Sequence, residues 1–229
     1  MIEKMTAVIT GGSSGIGEAT AKALIANGYQ VINADITAEP SSTVDHVPCD
    51  ITSAKDIDKL YGHVKEKYGI PDVLVSNAGQ GIHEKLAEGD PDKWQKTIDI
   101  NLMGTLRFIR AFLPEMLERK QGDIVFMSSI SGRQPYEYGG IYSATKAAIN
   151  MISDTLRLET QGLLRIINIA PGVVDTKFFK NMVSSNHTVD DIGLGSLSPE
   201  QVAEMVIRIL KLPESVNIPD ITITPTKQV

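Results

Sequence analysis

The feature that most constrains the fold of this chain is a regular alternation of short, β-rich apolar runs with segments of helical periodicity. The strand-like runs lie at 7–9, 29–34, 72–76, 123–128, 164–170 and 221–224, and the helix-like segments at 19–26, 53–68, 91–119, 142–160 and 198–212. No long linker, internal repeat or low-complexity tract interrupts them. The alternation predicts one α/β domain over 1–229, with a doubly wound parallel sheet of about seven strands and helices on both faces.

Three segments depart from this regular pattern. Pro114 lies inside the segment 91–119 and is expected to kink or end that helix. Residues 36–48 are rich in Ser, Thr and Pro and too short for a full crossover helix before the next strand. Residues 173–197 contain Gly193 and Gly195 and little firm pattern, which indicates a lid over a binding site. The alternative is a loose surface loop.

Composition excludes several classes of protein. The 22 Lys and Arg against 28 Asp and Glu give a net charge of −6, which argues against nucleic acid or an anionic membrane surface as a partner. The single Cys49 excludes an internal disulfide and a multi-cysteine zinc site, and no shared metal-ligand spacing relates His46, His63, His83 and His187. No apolar run suggests a membrane span and the first residues begin no secretion signal, so we expect a cytoplasmic protein.

A glycine-rich turn joins the first strand to the first helix. Gly11, Gly15 and Gly17 allow a tight turn and the close approach of a pyrophosphate to N–H groups at a helix N-terminus. Asp35 ends the second strand 18 residues after Gly17, where a carboxylate can accept hydrogen bonds from a ribose 2′-hydroxyl. Separately, the glycines suit any tight turn and Asp35 any solvated strand end. Together they predict a dinucleotide-binding site.

Asp35 also bears on the choice of cofactor. Its carboxylate would repel the 2′-phosphate of NADP, and the nearby Ser13, Ser14 and Ile36 provide no cation to pair with that phosphate. The sequence therefore predicts NAD as the cofactor and disfavours NADP.

Four polar residues in the middle of the chain form a candidate catalytic group. Tyr142 and Lys146 lie one helical turn apart, and a nearby ammonium lowers the pKa of a phenol so that it exchanges protons at neutral pH. Ser129 ends the preceding strand, at the sheet edge where open α/β proteins bind ligands. Asn101 lies inside an apolar helix, where its amide would anchor a water chain or hold a distortion of the helix. Individually, a Tyr–Lys surface pair and a serine capping a turn are ordinary features.

In its motifs and their spacing, the chain resembles the short-chain dehydrogenase/reductase family from about residue 5 to residue 225. The resemblance rests on Thr10-Gly11-x-x-x-Gly15-Ile16-Gly17, Asn77-Ala78-Gly79, Asn101, Ser129, Tyr142-x-x-x-Lys146 and Pro171-Gly172. It implies a single Rossmann-like domain with a catalytic tetrad. Tyr142 would be the general acid/base, and Ser129 would orient and polarise the substrate oxygen. Lys146 would hold the nicotinamide ribose and lower the pKa of Tyr142, and Asn101 would support a water-mediated proton relay.

The resemblance also implies the cofactor contacts. Asp50 would contact the adenine, the loop at Asn77 the adenosine ribose, and Thr176 the carboxamide. The complete set of expected cofactor-binding residues is Gly11, Ser13, Ser14, Gly15, Ile16, Gly17, Asp35, Asp50, Ile51, Asn77, Ala78, Gly79, Tyr142, Lys146, Pro171, Gly172, Val174 and Thr176.

Some features depart from the common family pattern. Ser76 stands before Asn77 where asparagine is frequent, and the short segment 36–48 leaves one crossover helix reduced or absent. The stretch 198–203 and the final Ile-Thr-Ile-Thr-Pro strand loosely resemble the branch that contains 3-hydroxy acid and serine dehydrogenases. Relatives in that branch generally use NADP, which conflicts with Asp35, and we give the electrostatics of Asp35 more weight.

The leading functional hypothesis is an NAD-dependent oxidoreductase that interconverts a secondary alcohol and a ketone or aldehyde by hydride transfer. The alternative is a catalytically silent protein that senses NAD(H), although a pure sensor needs no combination of Ser129, Tyr142 and Lys146. A racemase or dehydratase on the same scaffold is a weaker alternative. A serine hydrolase is excluded because no Gly-x-Ser-x-Gly elbow surrounds Ser128 or Ser129.

Two further expectations concern the lid and the surface. Phe178, Phe179 and Met182 recur at helical spacing within 173–197, where they either close over a small-molecule alcohol or carbonyl substrate or pack on the core. The helix from Tyr142 is apolar nearly all round, which favours a homodimer or homotetramer, as the resemblance also implies. Arg133 is the candidate for binding an anionic substrate, and the substrate itself is not predicted.

Overall fold

A seven-stranded parallel sheet lies at the centre of the computed structural model, which describes residues 4–37, 43–184 and 193–228. The strands are β1 (Thr6–Thr10), β2 (Gln30–Asp35), β3 (Asp45–Pro48), β4 (Val73–Ser76), β5 (Asp123–Met127), β6 (Arg165–Pro171) and β7 (Asp220–Ile223). Their order is β3-β2-β1-β4-β5-β6-β7, so the direction of winding reverses between β1 and β4. The predicted doubly wound α/β fold is confirmed, and a ligand site is expected where the order reverses.

Helices cover both faces of this sheet. They are α1 (Gly15–Ala26), α2 (Ala54–Tyr68), α3 (Pro91–Ile98), α4 (Thr105–Arg119), α5 (Gly140–Glu159) and α6 (Pro199–Leu210). One apolar core joins the sheet to α1 and α6, and the other joins it to α2, α4 and α5. In β1, Ala7 and Ile9 point into the first core and Val8 into the second. Because both faces are buried, the strand is apolar without alternation.

Local signals set the ends of two helices close to their predicted limits. Ser53 precedes α2 and accepts a hydrogen bond from the N–H of Asp56, and Gly69 follows its last residue with a φ of 77°. Ser198 and Gln201 form a reciprocal capping box at the start of α6. These bonds satisfy N–H groups that a helix start leaves without partners, which explains why the sequence predicted these boundaries.

The segment 91–119 differs from its prediction. α4 continues through Pro114 to Arg119, so the expectation that Pro114 ends the helix is wrong. Phe112 and Met116 are buried on either side of this proline, and their packing holds the helix together despite the missing N–H. The irregularity lies instead at 99–104, a π-helical stretch between α3 and α4 that contains Asn101.

Parts of two predicted segments lie outside the described residues. In the segment 36–48 these are 38–42, and the described remainder contains β3 and no crossover helix. In the expected lid 173–197 they are 185–192, which include His187. Within the described ranges, no helix is long and apolar enough to cross a membrane, and no cluster of His, Cys, Asp or Glu could hold a metal ion.

Candidate active site

The turn between β1 and α1 forms a cradle that only glycine can line. Gly11 and Gly15 have φ angles of 68° and 53°, in the left-handed region that side chains disfavour. A Cβ on Gly17 would lie 2.1 Å from the carbonyl oxygen of Gly11. Ser14 precedes α1 without a capping bond from its side chain, so the first turn of the helix can offer N–H groups to an anion. The turn therefore fits a pyrophosphate.

The loop after β4 braces this turn from below. The Thr10 hydroxyl accepts hydrogen bonds from the N–H groups of Asn77 and Ala78, at 3.0 and 3.1 Å. The Asn77 amide donates to the carbonyl oxygens of Thr10 and Gly11, at 3.0 and 3.1 Å. The side chain of Asn77 thus supports the turn, and the face of the loop at Ala78 and Gly79 is what remains for an adenosine ribose.

The end of β2 holds the other side of the turn. Asp35 accepts a hydrogen bond from the N–H of Ser13 at 3.1 Å through one oxygen, and two from Thr37 through the other. Asn33 accepts from the N–H of Gly12 at 2.8 Å and donates to the Ser13 hydroxyl at 3.0 Å. The carboxylate predicted to bind a ribose is therefore fixed beside the glycine cradle. Asn33 was missed, although a fully buried amide in an apolar strand is a signal for such a role.

The remaining expected cofactor residues lie around the same edge of the sheet. Thr176 crosses over the turn, with its methyl carbon 3.2 Å from the position of a Cβ on Gly15. Asp50 is exposed after β3 and accepts two hydrogen bonds from Thr52. Ile51 is buried against Gly104, so only its backbone can face a ligand. Pro171 ends β6 and Gly172 follows it, and Val174 is buried where it pairs with Leu197.

Ser129 and Tyr142 meet at the carboxyl end of β5. Ser129 follows that strand and Tyr142 lies in the first turn of α5, and each is 8% exposed. The Ser129 hydroxyl lies close enough to the Tyr142 phenol to lower its pKa. The Ser129 oxygen also accepts the N–H of Ser131 at 3.1 Å, which orients it. The structure therefore brings together the predicted general acid/base and the predicted substrate-orienting hydroxyl.

Lys146 is buried beside this pair. Its ammonium donates to the carbonyl oxygen of Met127 at 2.8 Å and lies 5.8 Å from the centre of the Tyr142 ring. Burial lowers the pKa of Lys146 to about 8, because an apolar surrounding disfavours the charged form. The ammonium is therefore held by the end of β5, facing the space in front of the tyrosine ring.

The pKa of Tyr142 shifts in the opposite direction to the one predicted from its spacing to Lys146. Burial raises the pKa of Tyr142 above its ordinary value near 10, and the hydrogen bond with Ser129 opposes this rise. The expected lowering by Lys146 is absent because desolvation dominates and the ammonium is directed to Met127. In this state the phenol is protonated at neutral pH.

Asn101 is fully committed to holding two neighbouring segments together. Its amide oxygen accepts the N–H of Gln80 at 2.7 Å, and its amide nitrogen donates to the carbonyl of Gln80 at 2.9 Å and to the hydroxyl of Thr145 at 3.1 Å. The Thr105 hydroxyl donates to the backbone carbonyl of Asn101 at 3.0 Å. Asn101 thus sits in the distorted stretch of helix, as one of its predicted roles required. Sequence reasoning missed Thr145, which no local pattern distinguishes.

The described part of the expected lid covers Tyr142. The Phe178 ring lies 5.6 Å from the Tyr142 ring, and Phe179 packs edge-on against Phe178 at 5.8 Å. Of the two predicted positions for these aromatics, the structure places Phe178 over the candidate site. Arg133, by contrast, pairs with Asp220 and donates to Thr222 on β7, so it is not available to a substrate anion.

Comparisons with known proteins agree with this geometry. A family model described as short chain dehydrogenase matches residues 5–187. An uncharacterized oxidoreductase of Staphylococcus aureus strain MW2 is 34% identical over an alignment of 229 positions that covers 96% of each chain. One of Staphylococcus epidermidis is 32% identical over 98% of each chain.

Solved structures resemble the whole chain. A closed form of serine dehydrogenase complexed with NADP+ has a TM-score of 0.89 and 29% identity, over 98% of this chain and 96% of that one. An alcohol dehydrogenase from the archaeon Thermococcus sibiricus, complexed with 5-hydroxy-NADP, has a TM-score of 0.88 and 30% identity, over 99% of each chain. This chain therefore belongs to the short-chain dehydrogenase/reductase family, and it is an oxidoreductase that uses a nicotinamide cofactor.

Proposed function

We propose that this enzyme interconverts a secondary alcohol and a ketone or aldehyde with NAD, and that Tyr142 transfers the proton. The observation that carries the proposal is the placing of the Ser129 and Tyr142 hydroxyls together beside a buried Lys146, at the sheet edge that also holds the glycine cradle. A protein that only senses NAD(H) has no use for this combination, so the silent alternative is not favoured.

The chemistry divides between cofactor and protein. When bound, the nicotinamide would supply or accept the hydride, and the protein's residues would orient the substrate and move the proton. The Ser129 hydroxyl would hold the substrate oxygen beside Tyr142. In the reducing direction Tyr142 would donate its proton to that oxygen, and in the oxidising direction it would take the proton from the alcohol. Because burial raises the pKa of Tyr142, the phenol keeps its proton at neutral pH, which is the form that the reducing direction requires.

Lys146 and Asn101 support that proton transfer in this proposal. The Lys146 ammonium would hold the hydroxyls of the nicotinamide ribose and stabilise the phenolate that forms at Tyr142. Asn101 keeps the distorted helix at 99–104 against the loop of Gln80, and a water chain that starts there would return the proton to solvent.

The preference for NAD rests on Asp35. Its carboxylate is held beside the glycine cradle, where it would meet a 2′-phosphate, and residues 36–44 contain no Lys or Arg. Two negative charges repel each other, so a carboxylate at this position disfavours NADP unless a nearby cation compensates. The serine dehydrogenase and the alcohol dehydrogenase that resemble this chain were solved with NADP-type cofactors. The charge at Asp35 supports a preference for NAD in this protein.

The pairing of Arg133 with Asp220 supports an uncharged substrate. The covering residue Phe178 is aromatic, and Arg133 is already paired with the carboxylate of Asp220. We therefore propose a neutral alcohol or carbonyl compound over a hydroxy acid.

The test is a turnover panel with the purified enzyme. Secondary alcohols, steroids and hydroxy acids are offered with NAD or NADP, and reduced nicotinamide is followed by absorbance. We expect turnover with NAD, and a loss of about 10²–10⁴-fold in kcat for Tyr142→Phe, because the phenyl ring cannot transfer a proton. The dissociation constant for NADH is expected to change little in this variant.

Tyr61→Phe is the matched control, because the phenol of Tyr61 on α2 donates to Glu115 on α4 and takes no part in the site. Turnover retained by Tyr142→Phe would rule out its proton-transfer role. A higher kcat/KM with NADP than with NAD would overturn the assignment of Asp35 as the selector. Binding of NADH without turnover on any substrate would instead support the sensor.

A further inference from the structure

One stretch of chain covers Tyr142, and its far end is joined to the loop after β4. We call residues 173–184 the covering arm. Near its end, the N–H of Val183 donates to the carbonyl of Gly81 at 2.9 Å, and the N–H of His83 donates to the carbonyl of Val183 at 3.2 Å. The arm therefore meets the loop through a short parallel bridge at Ile82 and Val183.

Beside this bridge, one carboxylate collects groups from three segments. One oxygen of Glu84 accepts the indole N–H of Trp94 at 2.8 Å and the N–H of Asp90 at 3.0 Å. The other accepts the hydroxyl of Ser184 and the ammonium of Lys93, the latter at 3.3 Å. Lys93 also donates to the Ser184 hydroxyl at 3.0 Å. The Glu84 side chain is only 10% exposed, whereas Lys93 and Ser184 lie at the surface, so the carboxylate is shielded by the groups that it binds.

The cluster is connected to the site through the covering arm itself. A Cβ on Gly81 would lie 2.9 Å from the Phe178 ring and 3.1 Å from the terminal carbon of Met182, so the arm rests directly on the bridge. Phe178 in turn packs on Tyr142 at 5.6 Å. A displacement at Ser184 would therefore move the aromatic wall in front of Tyr142.

We propose that Glu84 is a positioning residue that holds the covering arm over Tyr142 by binding Ser184, Lys93 and Trp94 on a single carboxylate. The proposal rests on the proposed function, because it assigns Phe178 to the wall of the substrate site. Glu84 itself touches neither the candidate acid/base nor the glycine cradle.

The ionisation of Glu84 is consistent with this role. The pKa of Glu84 is lowered to about 2, and the hydrogen bond from Ser184 is the largest cause. Burial opposes this shift, but the bonds from Ser184, Asp90, Trp94 and Lys93 together outweigh it. The carboxylate is therefore charged throughout the pH range of an ordinary assay, and its hydrogen bonds are of the strong, charge-assisted kind.

The cofactor cradle is held by other contacts and should survive a loss of the cluster. Asn77 and Asn33 support the glycine turn from β4 and β2, and neither touches the arm. Thr176 reaches the cradle from the start of the arm, eight residues before Ser184. A change at Glu84, at the far end of the arm, is therefore expected to alter the substrate site more than the binding of NADH.

The first experiment measures the arm without any need for turnover. Lys177 and Lys180 are exposed in the arm, so trypsin can report how often it opens. Removing the charge in Glu84→Gln is expected to speed cleavage there by about 10-fold or more, the effect of losing one charge-assisted hydrogen bond. Glu88→Gln is the control, since Glu88 is an exposed acid of the same loop that pairs with Lys85 at the surface.

A second variant approaches the cluster from the arm. Ser184→Ala removes the hydroxyl and leaves the bonds from Trp94 and Asp90 to Glu84 in place. It therefore tests the cluster even if Glu84→Gln folds poorly. Both variants are expected to raise KM for the substrate by about 5–10-fold with a smaller change in kcat, since the arm binds substrate and does not transfer the proton. Glu88→Gln should match the parent in both measurements.

Cleavage rates and KM values in both variants equal to those of Glu88→Gln would overturn the proposal. A loss of NADH binding as large as the rise in KM would do so too, because it would show a general structural effect. If the parent enzyme turns over no substrate, the proposed function fails, whereas the cleavage rates still decide whether Glu84 holds the arm.

Discussion

At the scale of single residues, burial decides the protonation of the candidate site. Lys146 is 7% exposed, and desolvation lowers its pKa to about 8 from an ordinary value of 10.5. The folded chain therefore binds this proton less tightly than the unfolded chain. Below pH 8 both states carry the charge and the folded state bears the full penalty of burying it. Between about pH 8 and pH 10.5 the penalty is relieved, so this residue makes stability rise with pH.

A stability measurement tests the buried ammonium. Lys146→Met keeps the length of the side chain and removes its charge, and we expect the thermal midpoint at pH 7 to rise, at roughly 2–4 °C for each kcal/mol of relieved desolvation. Turnover should be lost. Thermal unfolding followed by circular dichroism at pH 7 and pH 10 should show a smaller rise in the thermal midpoint of this variant at the higher pH.

Lys59→Met is the matched control, because its ammonium lies on α2 with the side chain 62% exposed and should leave the midpoint nearly unchanged. A lower thermal midpoint of Lys146→Met at pH 7 would contradict a net cost of burying the ammonium. It would show that the hydrogen bond to Met127 contributes more to stability than desolvation costs.

At the scale of elements, sequence reasoning succeeded where a signal is local. The caps at Ser53 and Ser198 act on N–H groups a few residues away, so spacing alone places the starts of α2 and α6. The π-helical stretch at 99–104 could not be placed in this way. It depends on the Asn101 amide reaching Gln80, 21 residues away, and Thr145, 44 residues away. Pro114 gave a local signal that the packing of α4 overrides.

Two glycines in helices allow an element-scale prediction. Gly17→Ala would place a carbon 2.1 Å from the Gly11 carbonyl oxygen, so we expect the cradle to deform and NADH binding to be lost. Gly62→Ala meets nothing within 4 Å on the exposed face of α2, and should gain about 1 kcal/mol because alanine favours helix.

Both Gly17→Ala and Gly62→Ala are measured by NADH fluorescence titration, which reports cofactor affinity, and by thermal unfolding, which reports stability. Unchanged NADH affinity in Gly17→Ala would contradict the cradle as the pyrophosphate site. A lower midpoint in Gly62→Ala would contradict the helix-propensity argument.

At the scale of the whole molecule, α5 has an apolar face that the monomer leaves uncovered. Met151 is 66% exposed and Leu158 is 78% exposed, whereas Ile149 and Leu156 on the same helix are buried. Large apolar side chains in this position favour a two-fold contact between copies, where the same surface serves both partners.

We expect a homodimer or homotetramer in solution, measured by light scattering at micromolar concentration. Leu158→Glu should shift the mass toward the monomer, because the contact would bury the new charge. Val216→Glu, at a residue 41% exposed outside the helices, is the control. A parent protein that scatters as a monomer of 24.8 kDa would refute the expectation.

The sequence by itself determined the sheet, the glycine cradle and the placing of Ser129, Tyr142 and Lys146 at one sheet edge. These follow from periodicity, from glycine's backbone freedom and from the rule that parallel strands end on the same side. Such signals act over a few residues or through the topology of alternating strands and helices, so the order of residues already contains them.

Only the tertiary structure decided what these groups contact. It pairs Arg133 with Asp220, 87 residues away, and Glu84 with Ser184, 100 residues away. It also raises the pKa of Tyr142, where the Tyr–Lys spacing predicted the reverse. The physical reason is that desolvation and hydrogen bonding depend on which atoms surround a group in space, and no local pattern specifies them.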